Sequence, residues 1–222
     1  MDWYGYKRTL ALDSEAALHP HSPRERADLF SAVTFEGTEI EYLDLLHCLV
    51  LARKPLILLE TGTNTGLSAL AIGFALKEIH GKSGRAGKLY SLEHDAELAR
   101  LARENVEEAG VADYVAIAIG DSVDFIVGTG DLRFEWVFFD SSRRVRPKEF
   151  RALVANDRLA PGCLLAFHDT SELRAESMPQ QSEDQREYLG ALRDIAKECC
   201  GQVTFPLSRG LWVLQWREET RA

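Results

Sequence analysis

LILLETGTNTGLSAL, residues 56–70, carries the strongest local signal in the chain. Four apolar residues (Leu56, Ile57, Leu58, Leu59) run into an acid, Glu60, and then into a turn marked by Gly62 and Gly66. A helical pattern begins at Ser68. Strand, acid, glycine turn and helix in that order predict the first βα unit of a nucleotide-binding α/β domain, where a ligand meets bare backbone and a helix N-terminus. Gly62 reads as a position whose backbone angles are closed to other residues, and Gly66 as one that lets the turn lie close to a ligand. The spacing is not that of a dinucleotide fold. G-x-G-x-x-G would place glycines at 62, 64 and 67, where this chain has Gly62, Asn64 and Leu67.

The unit then repeats along the chain. After a helix over about 68–79 and a basic loop with Gly81, Gly84 and Gly87, a second strand, KLYSLEHD, ends in acid at Glu93. A helix over about 96–109 closes at Gly110, and a third strand, YVAIAIGD, ends at Asp121. A short helical turn over 123–127 leads to a fourth strand, EWVFFDS, ending at Asp140. A helix over about 147–159 then passes through Pro161-Gly162 into a fifth strand, CLLAFHDT, which ends at His168 and Asp169. Right-handed crossovers deliver such strands in one direction, so five polar strand ends converge on one rim of a parallel sheet. Residues 171–183 read as a polar loop of lid length and 187–199 as a helix. Two strands, 202–207 and 210–216, are joined so tightly around Ser208-Arg209-Gly210 that they predict an antiparallel hairpin at the end of the sheet.

Upstream, residues 1–35 show no sustained period and read as an irregular aromatic arm that packs on the domain or on a second subunit. Thr38 with Glu41 reads as a capping box, followed by Ile40, Leu43, Leu46, Leu49 and Val50 at helical spacing until Lys54-Pro55. The chain thus divides into an arm and helix over 1–54 and a ligand-binding domain over 55–222.

Composition narrows the function classes. With 222 residues, 45% of them hydrophobic, the chain has material for one domain with a substantial core. A formal net charge of −9 disfavours nucleic acid or an anionic membrane as partner and favours a small-molecule substrate. Cys48, Cys163, Cys199 and Cys200 have no C-x-x-C spacing and read as thiols in a reducing, cytoplasmic setting. The N-terminus has no signal-peptide core, and no apolar run nears the roughly 20 residues of a membrane span.

Glu60, Gly62, Gly66, Ser68 and Ala69 together form E-x-G-x-x-x-G-x-S-A. This resembles the first motif of class I S-adenosylmethionine-dependent methyltransferases, in particular the catechol O-methyltransferase-like branch, and the resemblance extends over about residues 55–217. It implies a Rossmann-like α/β fold: a seven-stranded, mostly parallel sheet with helices on both faces and a C-terminal antiparallel hairpin. It also implies S-adenosylmethionine as cofactor, a small hydroxylated acceptor from specialised metabolism, and the option of a homodimer. By the same resemblance Glu93, flanked by His94, takes the ribose hydroxyls. Asp121, with Gly120 and Ser122, contacts the adenine, Gly62 and Thr63 lie along the methionine part, and Glu60 orders the loop. Ser68 caps its helix or touches the cofactor carboxylate.

For catalysis the resemblance leaves two routes open. Catechol-type enzymes hold a magnesium ion on acids after the fourth and fifth strands, positions matched by Asp140 and by His168-Asp169. The histidine makes the ligand set mixed, whereas Mg²⁺ prefers oxygen. The other route makes His168 a general base, for which an imidazole suits neutral pH. Three residues after Asp140, where the branch has a lysine, stands Arg143, followed by Arg144 and Arg146. Arginine does not give up its proton, so it reads as an anion holder, a partner for Glu172 and Glu176, or a solvated loop. A cofactor-binding fold with a non-methylating activity, cyclase or hydroxylase-related, and a catalytically silent binding protein are the other readings.

Overall fold

A computed structural model describes residues 1–11, 30–34, 37–172 and 182–217. The helix α1 (Trp3–Lys7) is followed by α2 (Ile40–Arg53), β1 (Ile57–Thr61), α3 (Leu67–Ser83), β2 (Lys88–Glu93), α4 (Ala96–Glu108) and β3 (Val115–Ile119). Then come α5 (Ser122–Gly128), β4 (Phe134–Phe139), α6 (Arg146–Ala155), β5 (Leu159–His168), α7 (Ser182–Glu198), β6 (Cys199–Phe205) and β7 (Leu211–Trp216). The strands form one sheet in the order β3-β2-β1-β4-β5-β7-β6. Every pairing is parallel except those of β7 with β5 and with β6. The expected Rossmann-like sheet with a terminal antiparallel hairpin is therefore present.

Strand periodicity divides the core into two layers. Leu58, Trp136 and Phe138 face α1, α2, α3 and α4, while Leu59, Val137 and Phe139 face α5, α6 and α7. Both layers are apolar, as expected of a parallel sheet covered on both faces. Helix α3 is buried nearly all round, and Gly73 lets it settle on the third strand, since a Cβ there would lie 2.8 Å from Val115 Cγ2. Asp95 starts α4 by accepting from the amides of Glu97 and Leu98. Phe139 and Phe167, cross-strand partners on β4 and β5, stack in parallel with centroids 4.2 Å apart. That stack sits immediately below Asp140 and His168 and fixes the height of both strand ends.

Several local expectations change. Thr38 and Glu41 form no capping box: Glu39 is the N-cap of α2 without a side-chain cap bond, and Glu41 instead accepts from Ser31 N at 3.0 Å. The Pro161-Gly162 pair lies inside β5 rather than before it, where the register with β4 shifts between Phe134 and Trp136. The α3 helix runs on to Ser83 through Gly81, and α7 starts at Ser182. The N-terminal arm is anchored at its beginning, where Trp3 is fully buried, donates to Asp44 Oδ1 at 2.7 Å and stacks on His47. Most of the 171–183 loop lies outside the described residues. No described helix is long and apolar enough to cross a membrane.

Candidate functional site

Strand order reverses between β1 and β4, so the chain leaves these neighbours in opposite directions and opens a crevice beyond their C-terminal ends. A cleft of about 680 Å³ occupies it, within the range of small-molecule sites. Gly62, Glu93, His94, Gly120, Asp121 and Ser122 line one half of the cleft. Asp140 and Asp169 line the other.

Gly62 is there for a steric reason. It has φ +85°, and a Cβ would lie 2.5 Å from both the carbonyl carbon and the oxygen of Asp140. The backbone turn after β1 thus rests directly on the end of β4. Its amide and that of Thr63 both donate to Leu92 O, which ties the same turn to β2. The Glu93 carboxylate organises this corner, accepting from the amides of Asn64 (2.7 Å), His94 (2.9 Å) and Asp95 (3.1 Å). Asp121 uses Oδ1 to cap α5 through Val123 N and Asp124 N. Its Oδ2 carries no hydrogen bond among the described residues.

Other residues expected at the cofactor stand behind the cleft wall. Gly66, with φ +87°, starts α3 against α4, and a Cβ added to it would lie 3.1 Å from Ala102 Cβ. Thr63 is buried, its hydroxyl 2.6 Å from Ser91 Oγ. Ser68 neither caps α3 nor lines the cleft; it is buried beside Glu60. Glu60 is fully buried and accepts from Ser91 Oγ. Burial pushes its carboxyl up to about 7, against the pull of the Ser68 and Ser91 hydroxyls. A carboxyl raised in the folded state favours folding below its ordinary value of 4.5 and loses that contribution as pH climbs through about 7. This group is therefore expected to lower wild-type stability by about 3 kcal/mol between pH 4.5 and 8. Glu60→Gln cannot ionise and should lose that slope; urea unfolding at pH 5 and pH 8 checks it, and parallel profiles for the two proteins would refute the assignment.

At the other half Asp140, Arg146, Asp169 and Arg209 line the cleft as part of a knot of charged side chains, with His168 and Glu39 buried beneath them. His168 is fully buried, with Nδ1 2.9 Å from Asp140 Oδ1 and Nε2 2.7 Å from Glu39 Oε2. Both ring nitrogens are thus engaged by carboxylates inside the protein. Burial alone would raise the Glu39 carboxyl, but His168, Arg209 and Ser208 together hold it well below the usual carboxylate range. Asp140 is likewise held low by His168, Arg146 and Arg209 in spite of its burial. Arg146, 2% exposed, donates through Nη2 to Asp140 Oδ1 at 3.0 Å and to Asp169 Oδ2 at 2.9 Å. Its remaining N–H groups reach Ser141 O, His168 O and Tyr188 Oη. Arg209 Nε donates to Asp169 Oδ1 at 2.9 Å, and Thr38 Oγ1 to Asp140 Oδ2 at 2.7 Å.

This arrangement bears on both expected routes of catalysis. As a base, His168 is out of an acceptor's reach, because both nitrogens are committed to carboxylates and the ring has no exposed surface. As metal ligands, Asp140, His168 and Asp169 bring atoms within 4.8 Å of one another, a spacing a cation can bridge. The groups that bridge them are cationic already, and the residues in this arrangement do not fit a metal as well.

Sequence patterning assigns no place in the site to Thr38 or Glu39, none in particular to Arg146 or to Arg209 within its turn, and none to Glu149. Glu149 is fully buried in α6 and accepts from Thr61, Ser122 and Ser141 hydroxyls, so it holds two cleft-lining serines in place. Among the arginines after Asp140, Arg143 meets Gln185 and Arg144 meets Asp184, while Glu172 pairs with Arg193. Glu176 lies outside the described residues.

A family model described as a methyltransferase domain matches residues 59–170, just over half of the chain. A catechol O-methyltransferase of Niastella koreensis is 28% identical over 137 residues, 60% of this chain and 57% of that one. One from Mycobacterium tuberculosis is 27% identical, over 61% of this chain and 56% of that one. The match thus spans little more than half the length of these relatives. In fold, the O-methyltransferase TomG of Streptomyces achromogenes, involved in tomaymycin synthesis and solved with S-adenosylmethionine, superposes with a TM-score of 0.69 at 19% identity, covering 96% of this chain and 95% of that one.

Proposed function

Because the chain belongs to the methyltransferase domain family, we propose that it binds S-adenosylmethionine in this cleft and transfers the methyl group to an oxygen of a small hydroxylated metabolite. The observation that carries the reading is the meeting of Gly62, Glu93, Asp121 and Asp140 around one cleft at the strand-order reversal, from four separate strand ends. The bound cofactor supplies an activated methyl on a sulfonium. Glu93 offers the Oε2 lone pair left by its three amide bonds to the ribose hydroxyls, and Asp121 Oδ2 accepts from the adenine amine. Gly62 keeps side-chain bulk away from the methionine part, while Ser122 and Ser141 are oriented from behind by Glu149. The acceptor enters over Asp140 and Asp169, and the work of this half is to hold it in line behind the methyl, which leaves the sulfonium for the hydroxyl oxygen while the hydroxyl proton passes to water in the open cleft and S-adenosylhomocysteine is released.

Calorimetric titration of the purified protein with S-adenosylmethionine and S-adenosylhomocysteine tests the reading. Asp121→Asn keeps a side chain that can cap α5 but removes the negative acceptor. It should weaken cofactor affinity about ten-fold or more, the scale of one charge-assisted hydrogen bond. No binding by wild type sinks the proposal, and unaltered binding by Asp121→Asn moves the adenine elsewhere. The arm and the thiols support two lesser parts of the same reading, a homodimer and a cytoplasmic location, which sedimentation and fractionation check.

A further inference from the structure

We propose that Arg146, backed by Arg209, is the permanent cation of this site and stands where a divalent metal would otherwise bridge Asp140 and Asp169. Among the described residues Arg146 bridges Asp140 and Asp169, Arg209 adds a second cation on Asp169, and His168 lies between Asp140 and Glu39. Asp140 Oδ1 is shared between Arg146 and His168, and its Oδ2 is taken by Thr38. Asp169 gives one oxygen to Arg146 and the other to Arg209.

Arg146 is a built-in part of the fold, since three of its five N–H bonds go to groups other than these carboxylates. Its guanidinium also lies 5.4 Å from the Tyr188 ring centroid. A dication would have to displace this buried guanidinium or sit against two like charges. Arginine keeps its charge at every accessible pH, so the bridge does not depend on metal supply. Arg209 lines the cleft, and its Nη2 has no partner among the described residues, while Nε and Nη1 are held by Asp169 and Gly37 O. It is the part of the cationic pair that can meet an acceptor oxygen.

The test is a titration of the chelator-treated full chain with Mn²⁺, followed by calorimetry and by the Mn²⁺ paramagnetic resonance signal. Wild type should show no saturable site at millimolar Mn²⁺, and S-adenosylhomocysteine binding should be the same with chelator or metal to within about two-fold. Arg146→Ala removes the guanidinium donor from Asp169 Oδ2 and one of the two donors to Asp140 Oδ1, and should gain a Mn²⁺ site, seen as a metal-dependent rise in melting temperature. One tight equivalent of Mn²⁺ on wild type, lost in Asp140→Asn, overturns the proposal. If Arg146→Ala does not fold, the wild-type titration still gives the answer. The cofactor arm rests on the methyltransferase reading, whereas the Mn²⁺ arm does not, so failure of either is recognised separately.

Discussion

Gly62→Ala is expected to cost about 2–5 kcal/mol of stability and to abolish most cofactor affinity. The left-handed backbone alone penalises an alanine by about 1–2 kcal/mol, and overpacking adds about 1–3 kcal/mol. The new methyl would stand 2.5 Å from the Asp140 carbonyl and 2.6 Å from Ser141 N, which are backbone atoms that cannot rotate aside. Relief requires β1 and β4 to separate at the end where the cleft opens, which displaces Asp140 and Ser141 together. Gly66→Ala provides the contrast: its φ is as unfavourable, but the nearest atom, Ala102 Cβ, is 3.1 Å away and belongs to a helix that can shift. Denaturant midpoints and calorimetry on both variants measure the difference. Equal losses for the two would remove the steric account of Gly62.

Glu39→Gln should be comparably damaging, about 3–5 kcal/mol, because it leaves His168 buried with one of its two carboxylates gone. The same substitution disturbs Ser208 Oγ and Arg209 N, which both donate to Glu39 Oε1. The sign of the pH dependence follows from the depressed Glu39 carboxyl. Its contribution is complete above the ordinary value of 4.5 and is lost as pH falls toward the folded-state value. Wild type should therefore lose more stability than Glu39→Gln on acidification below about pH 4.5, narrowing the gap between them. A gap that stays constant from pH 6 to pH 3 would show that Glu39 does not act as an ionised partner of His168.

The parts of the site that were legible in the sequence are those generated by local repetition. Glu60, Gly62 and Gly66 stand at fixed offsets in one turn, and Glu93, Asp121, Asp140 and Asp169 each follow an apolar strand, so βα alternation alone brings them to one rim. The knot of charged side chains has no such pattern. Thr38 and Glu39 precede a helix, where Thr38 and Glu41 imitate a capping box, yet their partners are Asp140 and His168, 102 and 129 residues away. Arg146 stands among arginines that resemble a solvated loop, and only the packing of α6 against β5 carries it inward. Glu149 looks like an ordinary surface acid of a helix. His168 was legible as a residue at the right strand end, but its role depends on Glu39, which the sequence pattern does not connect to it.

The Glu39 carboxylate joins the chain before the first strand to the turn before the last, accepting from Arg209 N across 170 positions. During synthesis at about 5–20 residues per second, Glu39 would wait roughly 10–30 s for that partner. The glycine turn and the strand ends on either side of it can form long before then, but the charged floor cannot. Until β7 docks beside β5, three acids face one another with their balancing cations incomplete, and the nascent domain has a recognisable sheet without a finished site. Completion of the floor is thus a late, long-range folding event, and a chain stalled or cut before Arg209 would keep the sequence motif of the family while lacking the means to hold its acceptor half together.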